Sequence, residues 1–97
     1  MDWIDQKYIN LISNRLERFK RTRSNLFNFR CPVCGDSKRD KTKTRGYIME
    51  KPKVGTIFYC HNCHASLSFG NLLKHVDSTV YEDYRRERFI ERGTQNQ

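Results

Sequence analysis

Apolar residues at Ile4, Tyr8, Leu11, Ile12, Leu16 and Phe19 recur at steps of three or four, which predicts an amphipathic helix over 3–19 capped by Asp2. Lys20, Arg21 and Arg23 follow it, suiting the negative pole of a helix and opening a basic stretch. The pattern then changes period. Leu26 to Arg30 alternates as LFNFR, a short strand, whereas residues 35–45 (GDSKRDKTKTR) offer nothing to a core and predict a loop. Arg45 to Glu50 and Thr56 to Cys60 show period-two patterning, and Lys51, Pro52, Lys53, Val54 and Gly55 between them predict a reversal, hence a hairpin. Ser66 to Phe69 reads as a further short strand and Asn71 to Val76 as a brief helix. Thr79 with Glu82 has the spacing of a capping box, opening a last helix that carries Val80, Tyr84 and Phe89 and stops near Gly93. One domain over 1–93 is expected: helix and basic stretch in 1–25, strands in 26–70, helices in 71–93, and a tail or linker stump in 94–97.

Composition changes the picture in one respect. Only 36% of the 97 residues are hydrophobic, so the core is thin, and small chains with so little to bury usually need disulfides or a structural metal. Cys31, Cys34, Cys60 and Cys63 form two CxxC pairs separated by 25 residues. Each pair makes a tight knuckle, and the hairpin between them brings both to one tetrahedral ion. The expected fold is therefore a small α+β zinc ribbon: an antiparallel sheet with two CxxC knuckles, flanked by an N-terminal helix and C-terminal helices. In CPVCG, Pro32 stiffens the turn and Gly35 permits a left-handed backbone; CHNCH has no glycine at the matching place. One structural Zn2+ held by four cysteines fills its own coordination sphere and leaves no position for an activated water. Such binding contributes about 10 to 16 kcal/mol in small finger peptides, so the metal-free ribbon should be largely unfolded. The competing arrangements are His61 or His64 in place of one cysteine, an iron centre of rubredoxin type, and disulfides.

Charge points to a partner. Residues 1–64 carry 14 basic and six acidic side chains, a surplus of 14 − 6 = 8, while residues 65–97 carry five of each. A positive front joined to a neutral rear suits a polyanion, nucleic acid before membrane. No apolar run approaches the roughly 18 to 20 residues of a spanning helix, and Met1 leads directly into Asp2, Asp5 and Lys7 without the shape of a secretory signal. A reducing, cytoplasmic compartment is expected, where paired cysteines more often hold metal. No nucleophile with a partnered base and no phosphate-cradling glycine loop is present, and Asp36, Asp40 and Glu50, scattered among lysines, read as solvated counter-charges. Single-stranded DNA is held by cations on phosphates and aromatic faces under bases. The candidates are Arg30, Lys38, Arg39, Lys41, Lys43, Arg45, Lys51 and Lys53 for charge, Tyr47, Phe58 and Tyr59 for stacking, and His61, Asn62 and His64 beside the second knuckle. Arg45, Tyr47 and Met49 share one strand face and Ile48 the other, as Ile57 and Tyr59 oppose Phe58. One face is core and the other is open to a ligand; the pattern does not say which.

The run FRCPVCGDSK, continuing through KTRGY, FYCHNCH and LSFGNLLK, resembles the N-terminal zinc-binding domain of a bacterial-type DNA primase, closest to the tailed-bacteriophage kind. The similarity runs from about Trp3 to Gly93 and is most specific between Arg30 and Lys74. It implies a ribbon that recognises a short single-stranded template, supports RNA primer synthesis by a separate polymerase domain, and works beside a replicative helicase inside the bacterial host cell. By motif, the zinc ligands are Cys31, Cys34, Cys60 and Cys63; bacterial members often have histidine where this chain has Cys34. The acidic metal-binding cluster of a primase polymerase domain is absent from these residues, so primer synthesis by this chain alone is not expected. The alternative is a zinc-ribbon factor that binds nucleic acid or a polymerase with no role in priming.

Overall fold

The computed structural model describes residues 2–36 and 39–95, with side chains described as far as Glu91. Its first element, α1 (Trp3–Ile12), is capped by Asp2, whose carboxylate accepts the Asp5 N–H at 3.0 Å. The helix is shorter than the apolar spacing predicts. Ser13 Oγ donates to the Asn10 carbonyl at 2.8 Å, diverting a helical acceptor, and a 3-10 turn over Ser13–Arg15 leads to extended backbone at Leu16. Leu16 still reaches the core from outside the helix. Leu11, expected on the buried stripe, is 52% exposed, and Ile9 is buried in its stead. Buried Asp5 draws that side of α1 inward, and the stripe rotates toward Asp5 and Ile9.

Arg18, with φ 57, reverses the chain. The basic stretch then becomes β1 (Lys20–Arg23), an edge strand whose four residues are all exposed, where the sequence suggested a helix end. Charged side chains on an edge are a common guard against stray pairing. β2 (Leu26–Phe29), β3 (Gly46–Lys51), β4 (Gly55–Cys60) and β5 (Ser66–Ser68) complete a five-stranded sheet in sequence order, each neighbouring pair antiparallel. The expected hairpin is β3 and β4, in register from Gly46 opposite Cys60 to Lys51 opposite Gly55. Gly55 takes φ 107 and Lys53 φ 67, a backbone that only the glycine adopts without cost.

The sheet has one covered face. Phe27, Phe29, Ile48 and Phe58 are buried against Ile4, Tyr8, Ile9 and Ile12 of α1 and Phe69, Leu72 and Leu73 of α2 (Phe69–Val76). Phe29 and Phe58 stack at 5.8 Å between ring centroids. Opposite them, Tyr47 pairs with Tyr59 and Met49 with Ile57, and all four are half-buried. The face that sequence alone could not choose is thus settled: Ile48 and Phe58 go to the core, and Phe58, fully buried against Phe29, is not the exposed stacking ring the sequence suggested. β5 ends at Ser68, whose hydroxyl caps α2 by accepting the Asn71 N–H, so the helix begins two residues before Asn71.

α3 (Ser78–Gln95) packs on α1 and α2. It does not use the Thr79–Glu82 box. Asp77 Oδ1 accepts the Thr79 N–H at 2.9 Å, while Glu82 pairs with Arg85, and the helix continues past Gly93. The docking of α3 rests on a polar network around buried Asp5, which accepts from Thr56 Oγ1 (2.6 Å), Tyr84 OH (2.8 Å) and Arg88 Nη2 (2.6 Å). Arg88 also holds the capping carboxylate of Asp2, joining both ends of the chain to β4. The expected class, a small α+β ribbon with flanking helices, is the one observed. Among the described residues, no helix is long and apolar enough to cross a membrane.

Candidate metal centre and the surface beside it

The β3–β4 pairing brings Gly46 opposite Cys60, so the segment before β3 and the segment after β4 meet at one end of the hairpin. There the four cysteine sulfurs lie within 4.8 Å of one another. Cys31 and Cys63 Sγ are 3.9 Å apart, as are Cys34 and Cys60. Tetrahedral zinc with Zn–S bonds of about 2.3 Å separates its sulfurs by about 3.8 Å, so the donor set fits that ion in type, number and spacing. Among the described residues no histidine joins the cluster. His64 Nδ1 is engaged with Tyr59 OH at 3.1 Å, and His61 packs edge-on against Tyr47 and Tyr59, at 5.2 and 4.9 Å.

Backbone N–H groups converge on the sulfurs. Cys34 N donates to Cys31 Sγ (3.4 Å), Asp36 N to Cys34 Sγ (3.3 Å), and Asn62 N and Cys63 N to Cys60 Sγ (3.2 and 3.4 Å). Donors aimed at sulfur favour the thiolate, the form that binds metal. Burial pushes the Cys31 thiol up. At Cys34 burial acts in the same direction but is outweighed by the Asn62 side-chain amide and the Asp36 N–H, which hold the thiol down to about 7. Gly35 supplies the left-handed backbone of the first knuckle, φ 75. In the second, His64 adopts the same conformation with φ 63, and the missing glycine does not change the geometry.

Two side chains hold the first knuckle, and sequence reasoning misread both. Asp36, expected to be a solvated counter-charge, has no exposed side-chain surface and binds Arg45 at two points, the backbone N–H (2.7 Å) and Nε (3.0 Å). The signal was its place two residues beyond Cys34, where a carboxylate closes the loop. Arg30, expected to contact a nucleic acid, is 7% exposed; its guanidinium donates to the carbonyls of Gly35, Asp40 and Lys43 and pairs with Glu17. It organises the loop from inside. Asn28, which no motif flagged, does likewise from β2, donating to the Thr44 and Gly46 carbonyls and accepting from Thr44 Oγ1.

The remaining candidates fall into three groups. Arg45, Tyr47, Tyr59, His61, Asn62 and His64 come together beside the sulfurs, and Asn62 also donates its side-chain amide to Cys34 Sγ at 3.4 Å. Arg39, Lys41 and Lys43 are exposed on the loop entering β3. Lys51 and Lys53 are exposed at the far end of the hairpin, five residues along β3, or roughly 17 Å, from Gly46. Lys38 lies outside the described residues.

No protein-family model matches the chain. It is 34% identical over 94 residues to a DNA primase of Enterobacteria phage T4. That match covers 94% of this chain but only 27% of the primase, so the chain spans about a quarter of its relative's length. The similarity runs through the segment that holds both CxxC pairs, and the resemblance to DNA primase carried by the motifs is therefore shown, with four cysteines clustered at a possible metal site inside the matched region.

Proposed function

We propose that this chain is a zinc-binding, template-recognition module of the DNA primase kind, which holds single-stranded DNA for a separate polymerase domain that makes the RNA primer. The observation that carries the proposal is the ring cluster of Tyr47, Tyr59, His61 and His64, set directly beside the four-thiol site on the face of the sheet turned away from the core. Cys31, Cys34, Cys60 and Cys63 hold one Zn2+, whose role is to fix both knuckles and the loop between them. Bases stack on the rings, and Lys41 and Lys43 neutralise phosphates at the knuckle end. Lys51 and Lys53 stand far enough along the hairpin to bind a second stretch of the same strand. Arg30 takes no part, because its guanidinium is committed to loop carbonyls. Partners are the single-stranded template, a primase polymerase domain and a replicative helicase, in the cytoplasm of a bacterial host.

The test has two arms. Titration of zinc-loaded protein with short single strands should give salt-dependent binding; Lys43→Ala should lower affinity alike on all sequences and reduce the salt slope by about 0.7, whereas His61→Ala should change sequence preference. Salt-independent binding overturns the proposal. Mixing the chain with a primase polymerase domain should stimulate dinucleotide synthesis on a template; DNA binding without stimulation identifies instead an accessory factor with no role in priming.

A further inference from the structure

Arg45 differs from every other cation on this surface. Asp36 grips it twice, Oδ2 accepting the backbone N–H at 2.7 Å and Oδ1 accepting Nε at 3.0 Å, so one carboxylate fixes both the root and the neck of the side chain. Asp36 itself is anchored, since its N–H donates to Cys34 Sγ and its side chain is fully buried. On the other side, the Arg45 carbonyl accepts the His61 N–H at 2.9 Å. Arg45 is thus tied to the first knuckle through Asp36 and to the second through His61. Its side chain remains 36% exposed, and among the described residues Nη1 and Nη2 have no protein acceptor.

A guanidinium held by Nε offers its two terminal nitrogens as a rigid fork. Such a fork matches the O6 and N7 acceptors of guanine, which no other base presents together. Asp36 also makes the pair formally neutral, so its attraction for a phosphate is weak while its directionality is intact. Lys41 and Lys43, with no ion pair among the described residues, keep full charge and suit phosphates better. The register places Arg45 two residues before Tyr47 on the ring-bearing face, about 7 Å along the strand, so a base presented to the fork neighbours one stacked on the tyrosine.

We propose that Arg45 reads a guanine in the bound strand and that Asp36 is the positioning residue that aims it. This deepens the proposed function and rests on it: the strand must bind before a base is read.

The test uses zinc-loaded chain and an oligothymidine series in which one position at a time carries guanine, adenine or 7-deazaguanine, which lacks the N7 acceptor. Wild type should prefer the strand with guanine at one position by about 10-fold or more over adenine there, and lose most of that preference with 7-deazaguanine. Arg45→Gln should abolish the preference while retaining zinc and binding to plain oligothymidine. Asp36→Asn should reduce it with Arg45 in place. Where Asp36→Asn or Arg45→Gln sheds zinc, Arg45→Lys, which keeps a cation for the buried Asp36 carboxylate but lacks the fork, decides: guanine preference lost with strand binding kept supports the proposal, and preference kept overturns it. A uniform loss on all strands in Arg45→Gln, restored by Arg45→Lys, shows a phosphate contact and overturns the proposal. Wild type that binds strands without preferring guanine overturns it while sparing the proposed function; wild type that binds no strand overturns both.

Discussion

The two knuckles are the same device built from different residues. Each closes a backbone turn onto its first cysteine, Gly35 N to Cys31 O at 3.0 Å and His64 N to Cys60 O at 2.9 Å, and each places a left-handed residue directly after its second ligand. Their surroundings diverge. Behind the first knuckle stand Arg30 and Asp36, both buried, whereas the leading cysteines Cys31 and Cys60 are equally enclosed. The second presents His61, Asn62, Cys63 and His64 to solvent. Local backbone geometry alone makes each thiol knuckle, and what packs behind it decides whether that knuckle is buttressed from within or left open to solvent. Glycine takes the left-handed conformation freely in the first knuckle; in the second, histidine takes it with its ring bonded to Tyr59.

The largest effect should come from the ligands. Replacing a hydrogen-bonded neighbour of a metal ligand costs about 10- to 100-fold in affinity, and losing a ligand costs more, so Cys31→Ser should lower zinc affinity by at least about 100-fold and unfold the ribbon. Cys63→Ser, at the exposed corner, should fall less, since water takes its place without a buried void. Competition against a chelator with near-UV circular dichroism compares the two, and equal losses would break the distinction between the knuckles. Removing the support comes next. Asp36→Ala strands the Arg45 backbone N–H and should cost about 1 to 3 kcal/mol in denaturant unfolding of the zinc form, against about 0.5 kcal/mol for Asn62→Ala on the exposed knuckle.

A swap of the left-handed residues sharpens the comparison further. At Gly35 an added Cβ meets nothing within 4 Å, so Gly35→Ala should cost only the conformational term, about 1 to 2 kcal/mol. His64→Gly relieves that term but gives up the Tyr59 bond and adds chain entropy, leaving a net change within about 0.5 kcal/mol. The smallest effect lies away from both knuckles. Burial, with the nearby Asp5 carboxylate, raises the Tyr84 hydroxyl from 10 to about 12. A raised value means the folded chain favours the protonated phenol: its contribution is whole below pH 10 and is lost as pH rises through about 12. Burial raises Tyr8 to about 12 as well, so phenolate absorbance should show two late tyrosines, of which Tyr84→Phe removes one, and the packing of α3 should loosen in that window while zinc stays bound.

Much of the fold was legible because its signals are local. The hairpin, the strand feeding Cys31 and the brief helix after β5 follow from period and turn chemistry within a few residues. The exceptions turn on which of several neighbouring polar groups takes a bond, or on a partner distant in sequence. The first helix stops at Ile12 because Ser13 takes the Asn10 carbonyl, a competition that an apolar stripe does not register. The last helix is capped by Asp77 rather than Thr79, a choice between two side chains two residues apart that both favour the cap position. In the site, the convergence of the four cysteines followed from their spacing. Arg30 was misplaced because an arginine beside a cysteine looks the same on paper whether it faces a phosphate or three carbonyls of its own chain. Asp36 was misread for the same reason, its burial depending on a residue nine positions away.

What the amino-acid order determined by itself was a pair of thiol knuckles able to hold an ion, since a thin core and two CxxC pairs are properties of composition and short spacing. What only the assembled chain decided was direction: which sheet face is covered, which cations are spent on the protein's own carbonyls, and which arginine is aimed outward. Those depend on contacts between residues distant in sequence, and a side chain's charge carries no record of the partner that folding will bring to it.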